Sequence, residues 1–182
     1  MPQVAGTYLP NPDGAIKFLA VEYMSNVGSV THDWIETEIT GSPGNPALAC
    51  LPNVEADFPA GSPLAPLVTY RLRVPDGGTF TLYFKGRAPG GSSDNFVHVR
   101  FDDGGWVQER VPTNFNWLER GTYSLGAGDH DFVIQPRLDG VEINTVLLSP
   151  SSGLNNLQCE VQAYSTRDAG SPPGRRRRSR WR

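Results

Sequence analysis

Asn114–Gly121 (NFNWLERG), Thr122–Arg137 (TYSLGAGDHDFVIQPR) and Leu138–Pro150 (LDGVEINTVLLSP) follow one another without a break and carry clear strand signals. Asp131–Gln135 and Val141–Val146 are filled with β-branched and aromatic residues, which suit a pleated, half-buried surface. Asp139-Gly140 offers a tight turn between them, so the two are expected to pair as a β-hairpin. Gly126-Ala127-Gly128-Asp129-His130 is a turn that feeds the first of these strands, and Trp117 stands upstream on a short strand of its own.

Further upstream, the firmest alternation lies at Leu67–Val74 (LVTYRLRV) and Thr79–Arg87 (TFTLYFKGR), joined by Pro75-Asp76-Gly77-Gly78. Tyr70, Leu72 and Val74 share one face and Arg71 and Arg73 the other, and Phe80, Leu82 and Phe84 repeat the pattern across the turn, which predicts a second hairpin with one buried face. Tyr70, Leu72, Phe80, Leu82, Phe132, Ile134, Ile143 and Val146 are the expected core. Asn95–Phe101 is the next strand, with Phe96 or Val97 inward according to register. Ala15–Met24, His32–Ile39 and Ala47–Leu51 add further strands, and Asn53–Pro66 is a long Pro/Gly-rich loop, of the kind that carries function or motion. Residues 1–14 hold Pro2, Pro10, Pro12 and Gly14 with little to bury and read as a lead-in to one domain at 15–150. Residues 151–182 read as a linker with one short strand at Gln158–Tyr164, ending in an arginine-rich tail, and residues 1–166 are expected to fold without that tail.

A chain of 182 residues is long enough to bury a real core as one domain. Twenty glycines and sixteen prolines, against few long apolar periodic runs, argue for an all-β chain of short strands and turns. The net charge of -3 conceals an asymmetry, because seven arginines and one acid fall in 167–182 and leave nine basic against eighteen acidic residues in the body. An acidic body repels phosphate, which argues against nucleic acid as the partner of the folded part. No apolar run approaches the roughly 18 residues of a membrane span. Met1–Asn11 lack the basic and apolar blocks of a signal peptide, so the chain is expected to be either cytoplasmic or a piece of a longer secreted protein. Cys50 and Cys159 could pair in an oxidising compartment or stay free, and their number leaves both open.

The order of segments resembles the galactose-binding-like jelly rolls of carbohydrate-binding modules in families 6 and 35, and the C-terminal module of family 115 glycoside hydrolases. In those modules the last strands read roughly W-x-W, then L-x-A-G-x-H-x-L, then x-G-x-x-I-D-x-I-x-L. Phe115-Asn116-Trp117, Leu125–Phe132 and Gly140–Leu148 fall on that pattern in order, and Tyr70–Arg87 is similar to the family's strand pair ending in arginine. The resemblance covers about residues 15–150. It implies a two-sheet β-sandwich that binds a polysaccharide or oligosaccharide without catalysis, as a monomeric module of a larger secreted enzyme that it targets to its glycan. The resemblance requires no cofactor for binding, but it implies a structural calcium near the family's E-A-E strand. Glu22-Tyr23-Met24 keeps one of those acids, Glu22, while the thioether of Met24 cannot replace the other carboxylate.

Sugar binding asks for an aromatic face to stack on and a few fixed hydrogen-bonding groups. The resemblance makes Trp117 the expected platform, with its ring open to solvent, flanked by Phe115 at i−2 and by Asn116. It places Glu142 where a family 6 module has a sugar-binding asparagine. Trp106 is a second candidate aromatic, and Arg87, Asn95, Arg137 and Asp139 sit near turns expected to gather at one end of the sandwich. The alternatives are a structural jelly roll that only packs against its enzyme or bridges protein partners, and a polysaccharide lyase or hydrolase. For the latter, Asp102, Asp103, Glu109 and Glu119 are the nearest approach to a carboxylate pair, which glycosidases hold about 5 to 9.5 Å apart. Asp102-Asp103 before Gly-Gly is turn chemistry first. His32, His98 and His130 come with no G-x-S-x-G elbow, and His130 reads as a structural hydrogen-bonding residue.

Overall fold

The computed structural model describes residues 6–54, 56–88 and 96–168. Two sheets face one another. Sheet 1 contains β1 (Thr7–Tyr8), β3 (Ser25–Val27), β6 (Leu67–Val74), β8 (Phe96–Phe101), β9 (Val107–Arg110), β11 (Gly128–Pro136) and β13 (Arg167–Asp168). Its strands run β13-β1-β6-β11-β8-β9, with β3 also on β6. Sheet 2 contains β2 (Ile16–Leu19), β4 (Asp33–Glu38), β5 (Pro46–Leu51), β7 (Gly78–Arg87), β10 (Asn116–Leu125) and β12 (Glu142–Ser149). Its order is β10-β7-β12-β5-β4, with β2 also on β12. The chain is an all-β sandwich.

Alternation sets what lies between the sheets. Val68, Tyr70, Leu72, Phe132, Ile134, Val97 and Val99 of sheet 1 meet Phe80, Leu82, Phe84, Ile143, Val146 and Leu148 of sheet 2 in one apolar cluster. All eight expected core residues are in it. Phe96 faces outward and Val97 inward, which fixes the register of β8.

Neither expected hairpin forms. β6 and β7 lie in opposite sheets, as do β11 and β12, so Pro75–Gly78 and Arg137–Val141 are corners that carry the chain across the sandwich. A period of two is the same whether two strands lie side by side or face each other across a core. Here Leu72 and Leu82 pack from opposite layers. At the first corner Gly77 holds φ +69°, a left-handed conformation that costs glycine nothing.

The segment after β12 is part of the fold. Where a strand was expected at Gln158–Tyr164, a short helix α1 (Asn156–Val161) forms, and β13 follows it to pair with β1. Asn155 accepts from the Gln158 backbone N–H, and the Gln158 side chain accepts from the Asn155 N–H, which closes a capping box. Cys159 of α1 joins Ala15, Tyr83, Trp117 and Leu147 in a second apolar cluster on the outer side of sheet 2. Lys17 of β2, 1% exposed, caps the helix from below. Its ammonium donates to the carbonyls of Cys159, Glu160 and Gln162 at 2.9, 2.9 and 3.0 Å. It also lies 5.3 Å from the Trp117 ring centre and 4.7 Å from that of Tyr164. A cation at a helix C-terminus meets the negative end of its dipole. The expected lead-in also contributes, since Tyr8 of β1 is buried and stacks on Phe18 at 4.5 Å. Arg167 lies over the Tyr8 ring, so a cut at this residue is not outside the core.

Candidate functional site

Two surfaces collect the expected site residues. The first is the rim of sheet 2, where Arg87 is opposite Glu142 and Asn116 is opposite Gly86. Glu142 is 6% exposed. Its carboxylate accepts from the Thr40 N–H at 2.9 Å and from the Thr40 hydroxyl, and Arg87 donates to the Thr40 carbonyl. The tip between β4 and β5 is thereby folded back over sheet 2, and these two side chains hold it there. Phe115 is half-buried with the Lys85 ammonium 4.7 Å from its ring centre, and Asn116 is exposed. Asn95 lies outside the described residues.

Trp117 departs from expectation. Its ring is 6% exposed rather than open to solvent. It stands opposite Lys85 on the outer side of sheet 2, beside Tyr83 and Leu147, and that apolar patch is covered by α1. Burial of the patch removes more apolar area from water than an exposed platform would.

Asp139 is also interior. Its carboxylate meets His32 Nε2 at 3.2 Å and accepts the Val54 N–H at 2.6 Å, tying the 52–66 loop to the β11–β12 corner. Neighbouring backbone bonds, Phe58 N–H to the Arg137 carbonyl and Gly140 N–H to the Cys50 carbonyl, hold the same seam.

The second surface is the outer face of sheet 1 over β11, β8 and β9. Register sets its rows. Val133, Arg100 and Trp106 form one, Gln135, His98 and Gln108 the next, and Arg137, Phe96 and Arg110 the third. Trp106 is half-buried, with the Arg100 guanidinium 4.8 Å from its ring centre. Phe96 lies between the guanidinium groups of Arg110 and Arg137, at 5.1 and 5.5 Å. Gln135 accepts the Gly61 N–H at 2.8 Å and donates to the Ser62 carbonyl at 3.0 Å, so the 59–65 loop borders the face on the β11 side. Gly61 lies against Trp106, whose Nε1 would be 3.0 Å from a Cβ placed there. His98 sits in the middle row, 6% exposed, and its Nδ1 is buried without a hydrogen-bond partner. Burial first, and then the Arg137 charge, lower its pKa against the pull of Asp57, so the ring is neutral near pH 7.

Of the expected site residues, this face brings together Trp106 and Arg137. Phe96, His98, Arg100, Gln108 and Arg110 were missed, although the signal was present. They occur at i, i+2 and i+4 on two strands that flank the Asp102–Gly105 turn, so a hairpin there puts all of them on one face.

Three of the four carboxylates weighed for catalysis, Asp102, Glu109 and Glu119, have structural partners. Asp102 accepts from the Asp131 N–H at 2.9 Å and meets His130 Nδ1 at 2.7 Å. Glu109 points inward and accepts from the Gly121 N–H at 3.0 Å and the Tyr123 hydroxyl at 2.6 Å. Glu119 accepts from the Tyr83 hydroxyl at 2.9 Å and the Gly153 N–H at 2.6 Å.

The surroundings of Glu22 do not fit calcium. Its carbonyl accepts from the Tyr8 hydroxyl at 2.6 Å and from the Arg167 guanidinium, so a fixed cation already stands there. Among the described residues no three His, Cys, Asp or Glu side chains group as metal ligands. Cys50 and Cys159 are both free and buried, one in each apolar cluster, with sheet 2 between them. Burial raises their thiol pKa values to about 12 and about 11.

No family model and no curated protein matches the chain. Solved structures do. The chain is similar to the GH26-CBM35 β-(1,4)-mannanase of Podospora anserina, with a TM-score of 0.57 and 16% identity over 79% of this chain and 29% of that one. It is similar to the C-terminal CBM6 of LamC, a marine laminarinase from Zobellia galactanivorans, with 0.54 and 15% over 74% and 98%. Against the isomalto-dextranase of Arthrobacter globiformis T6, complexed with panose, the values are 0.55 and 19% over 76% and 24%. The chain thus spans under a third of the mannanase and nearly all of the CBM6. At these identities the likeness establishes the fold, a β-sandwich jelly roll.

Proposed function

We propose that the chain is a non-catalytic glycan-binding module, monomeric and part of a longer secreted enzyme, which it holds on a polysaccharide. The observation that carries this reading is the outer face of sheet 1. There a half-exposed indole stands in one row with Arg100, and the exposed side chains of Gln108 and Arg110 follow in the next two rows. An aromatic surface with several fixed donors and acceptors is what a sugar ring and its hydroxyls require. The likeness to solved modules named CBM35 and CBM6 supports it. Tethering a catalytic domain to such a module raises its effective concentration on the polymer. Native gels cast with a panel of polysaccharides test the reading. Trp106→Ala should lose retention while its melting temperature stays close to wild type, and a wild-type chain that no polysaccharide retards would refute it.

A second reading, a structural domain that packs against its enzyme, has its own observation. Leu157 and Val161, at i and i+4 of α1, are 71% and 70% exposed, and Tyr164 nearby is 51% exposed. Together they form an apolar stripe facing away from sheet 2, suited to a protein neighbour. Retention lost on Trp106→Ala but kept on Leu157→Ser/Val161→Ser would decide for glycan binding.

A further inference from the structure

Among the described residues, the outer face of sheet 1 over β8 and β9 carries arginines without acidic partners on an otherwise acidic body. Farther along the same face, Arg71 and Arg73 are each bidentate to an aspartate, Asp131 and Asp129. Arg100 and Arg110 have no ion pair among the described residues, and the acid beside Arg137 is Asp57, at 3.6 Å. Arg120 of β10 feels the charges of Glu109, Arg110 and Glu119, and Glu109 is turned into the sandwich. These guanidinium groups are held in place: Arg100, without an ion pair, by the Trp106 ring, Arg110, likewise without one, by Phe96, and Arg137 by Phe96 and Asp57. A stacked guanidinium keeps its planar fork ready for an oxyanion and loses little freedom on binding one.

We propose that this face takes an acidic glycan, a chain bearing repeated carboxylate or sulfate groups. Its anions meet Arg100, Arg110 and Arg137, and a sugar ring face meets the part of Trp106 that Arg100 leaves open. The proposal rests on the glycan-binding reading above and names its ligand class. Spacing argues for a polymer over a single anion. The Arg100 row and the Arg110 row are four residues apart along the strands, about 13 Å, so one carboxylate cannot reach both. Duplex DNA and an anionic membrane carry the same sign of charge but present phosphates rather than a pyranose face to Trp106, and the test includes both.

The test uses the full chain with Arg175–Arg178, Arg180 and Arg182 replaced by glutamine throughout, so that these residues supply no attraction. Native gels are cast with polygalacturonate, with dextran sulfate, or with neutral laminarin, galactomannan or dextran. Retention by an acidic polymer is expected, weakened about tenfold or more in Arg100→Gln/Arg110→Gln and reduced as salt rises past about 0.15 M. Arg100→Lys/Arg110→Lys, which keeps charge but not the fork, should recover part of it. Whichever acidic polymer is held tells carboxylate from sulfate. Each variant must melt within a few degrees of the parent, and Arg110→Gln/Arg137→Gln replaces the first pair if that pair does not fold. Retention by neutral polymers alone would overturn this inference and leave glycan binding standing, whereas no retention by any polymer would overturn both. Acidic retention unchanged by the substitutions would overturn the assigned face. Equal binding of duplex DNA or phosphatidylserine vesicles would overturn the glycan as the ligand.

Discussion

Replacing Trp117 by alanine distinguishes a buried ring from a sugar platform. An indole buries roughly 150–250 Å², which at about 25 cal/mol per Å² corresponds to about 4–6 kcal/mol. Collapse of α1 into the gap recovers part of this, leaving about 3–5 kcal/mol, the usual range for a large aromatic cut to alanine in a core. Lys17 also loses one of the two rings beside its ammonium. In a domain of this size each kcal/mol moves the midpoint by roughly 2–4 °C, so the expected fall is roughly 6–20 °C. Differential scanning calorimetry reads it, and native gels run well below the lowered midpoint should show the folded protein still retained by its glycan. Trp117→Phe keeps most of the apolar area and removes an Nε1 that is buried without a partner in the protein, so it should cost only about 1 kcal/mol. A Trp117→Ala protein that melts within about 2 °C of wild type and yet loses retention would refute the packing argument and restore the ring as a platform.

Burial alone would lower the His130 pKa, but hydrogen bonds to Asp102 and the Gly126 carbonyl raise it above 6.5. Asp102, which burial alone would raise, is held below 3.8 chiefly by its bond to His130. The histidine contribution is complete below its unfolded pKa and fades as pH rises through the higher folded value, and that of Asp102 is present above 3.8 and fades as pH falls through its lower folded value. His130→Gln should therefore lower the melting temperature most near about pH 5.5 and least above about pH 8, and a gap that widens with pH would contradict this. Gly86→Ala should destabilise severely, because a Cβ there would sit 2.4 Å from the Glu142 carbonyl oxygen; a wild-type melting curve would show that the β7–β12 approach is wrong. Glu142→Ala removes both acceptors at Thr40, with an expected cost of about 1–3 kcal/mol and faster amide exchange confined to residues 39–45.

Strand positions were readable because alternation is local. Phe80, Leu82 and Phe84 alternate whatever the partner strand, and all three are in the core. Which sheet each strand joins was not readable, since Gly77-Gly78 turns a chain equally well into a hairpin or across a sandwich. Trp117 shows the same limit more sharply. Its burial depends on residues some forty positions later, and Asn155-x-x-Gln158, a helix start, lay inside a stretch read as linker and strand. Arg100, His98 and Phe96 were legible in principle, but the Phe96-or-Val97 ambiguity of register hid the face until Val97 and Val99 were seen to be buried.

The strap formed by α1 and β13 bears on how the chain is made. Ala15, Tyr83, Trp117 and Leu147 can all have left the ribosome while the residues that cover them have not, and Lys17 then has no carbonyls to hold. A nascent chain halted near Pro150 would carry an open apolar patch on sheet 2 and, on sheet 1, a β1 exposed along the edge that β13 covers, the kind of surface that recruits chaperones or self-associates. Folding of this sandwich is therefore completed late, and a stop codon that removes only α1 and β13 should send the product into the insoluble fraction although every core strand of sheet 2 has been synthesised.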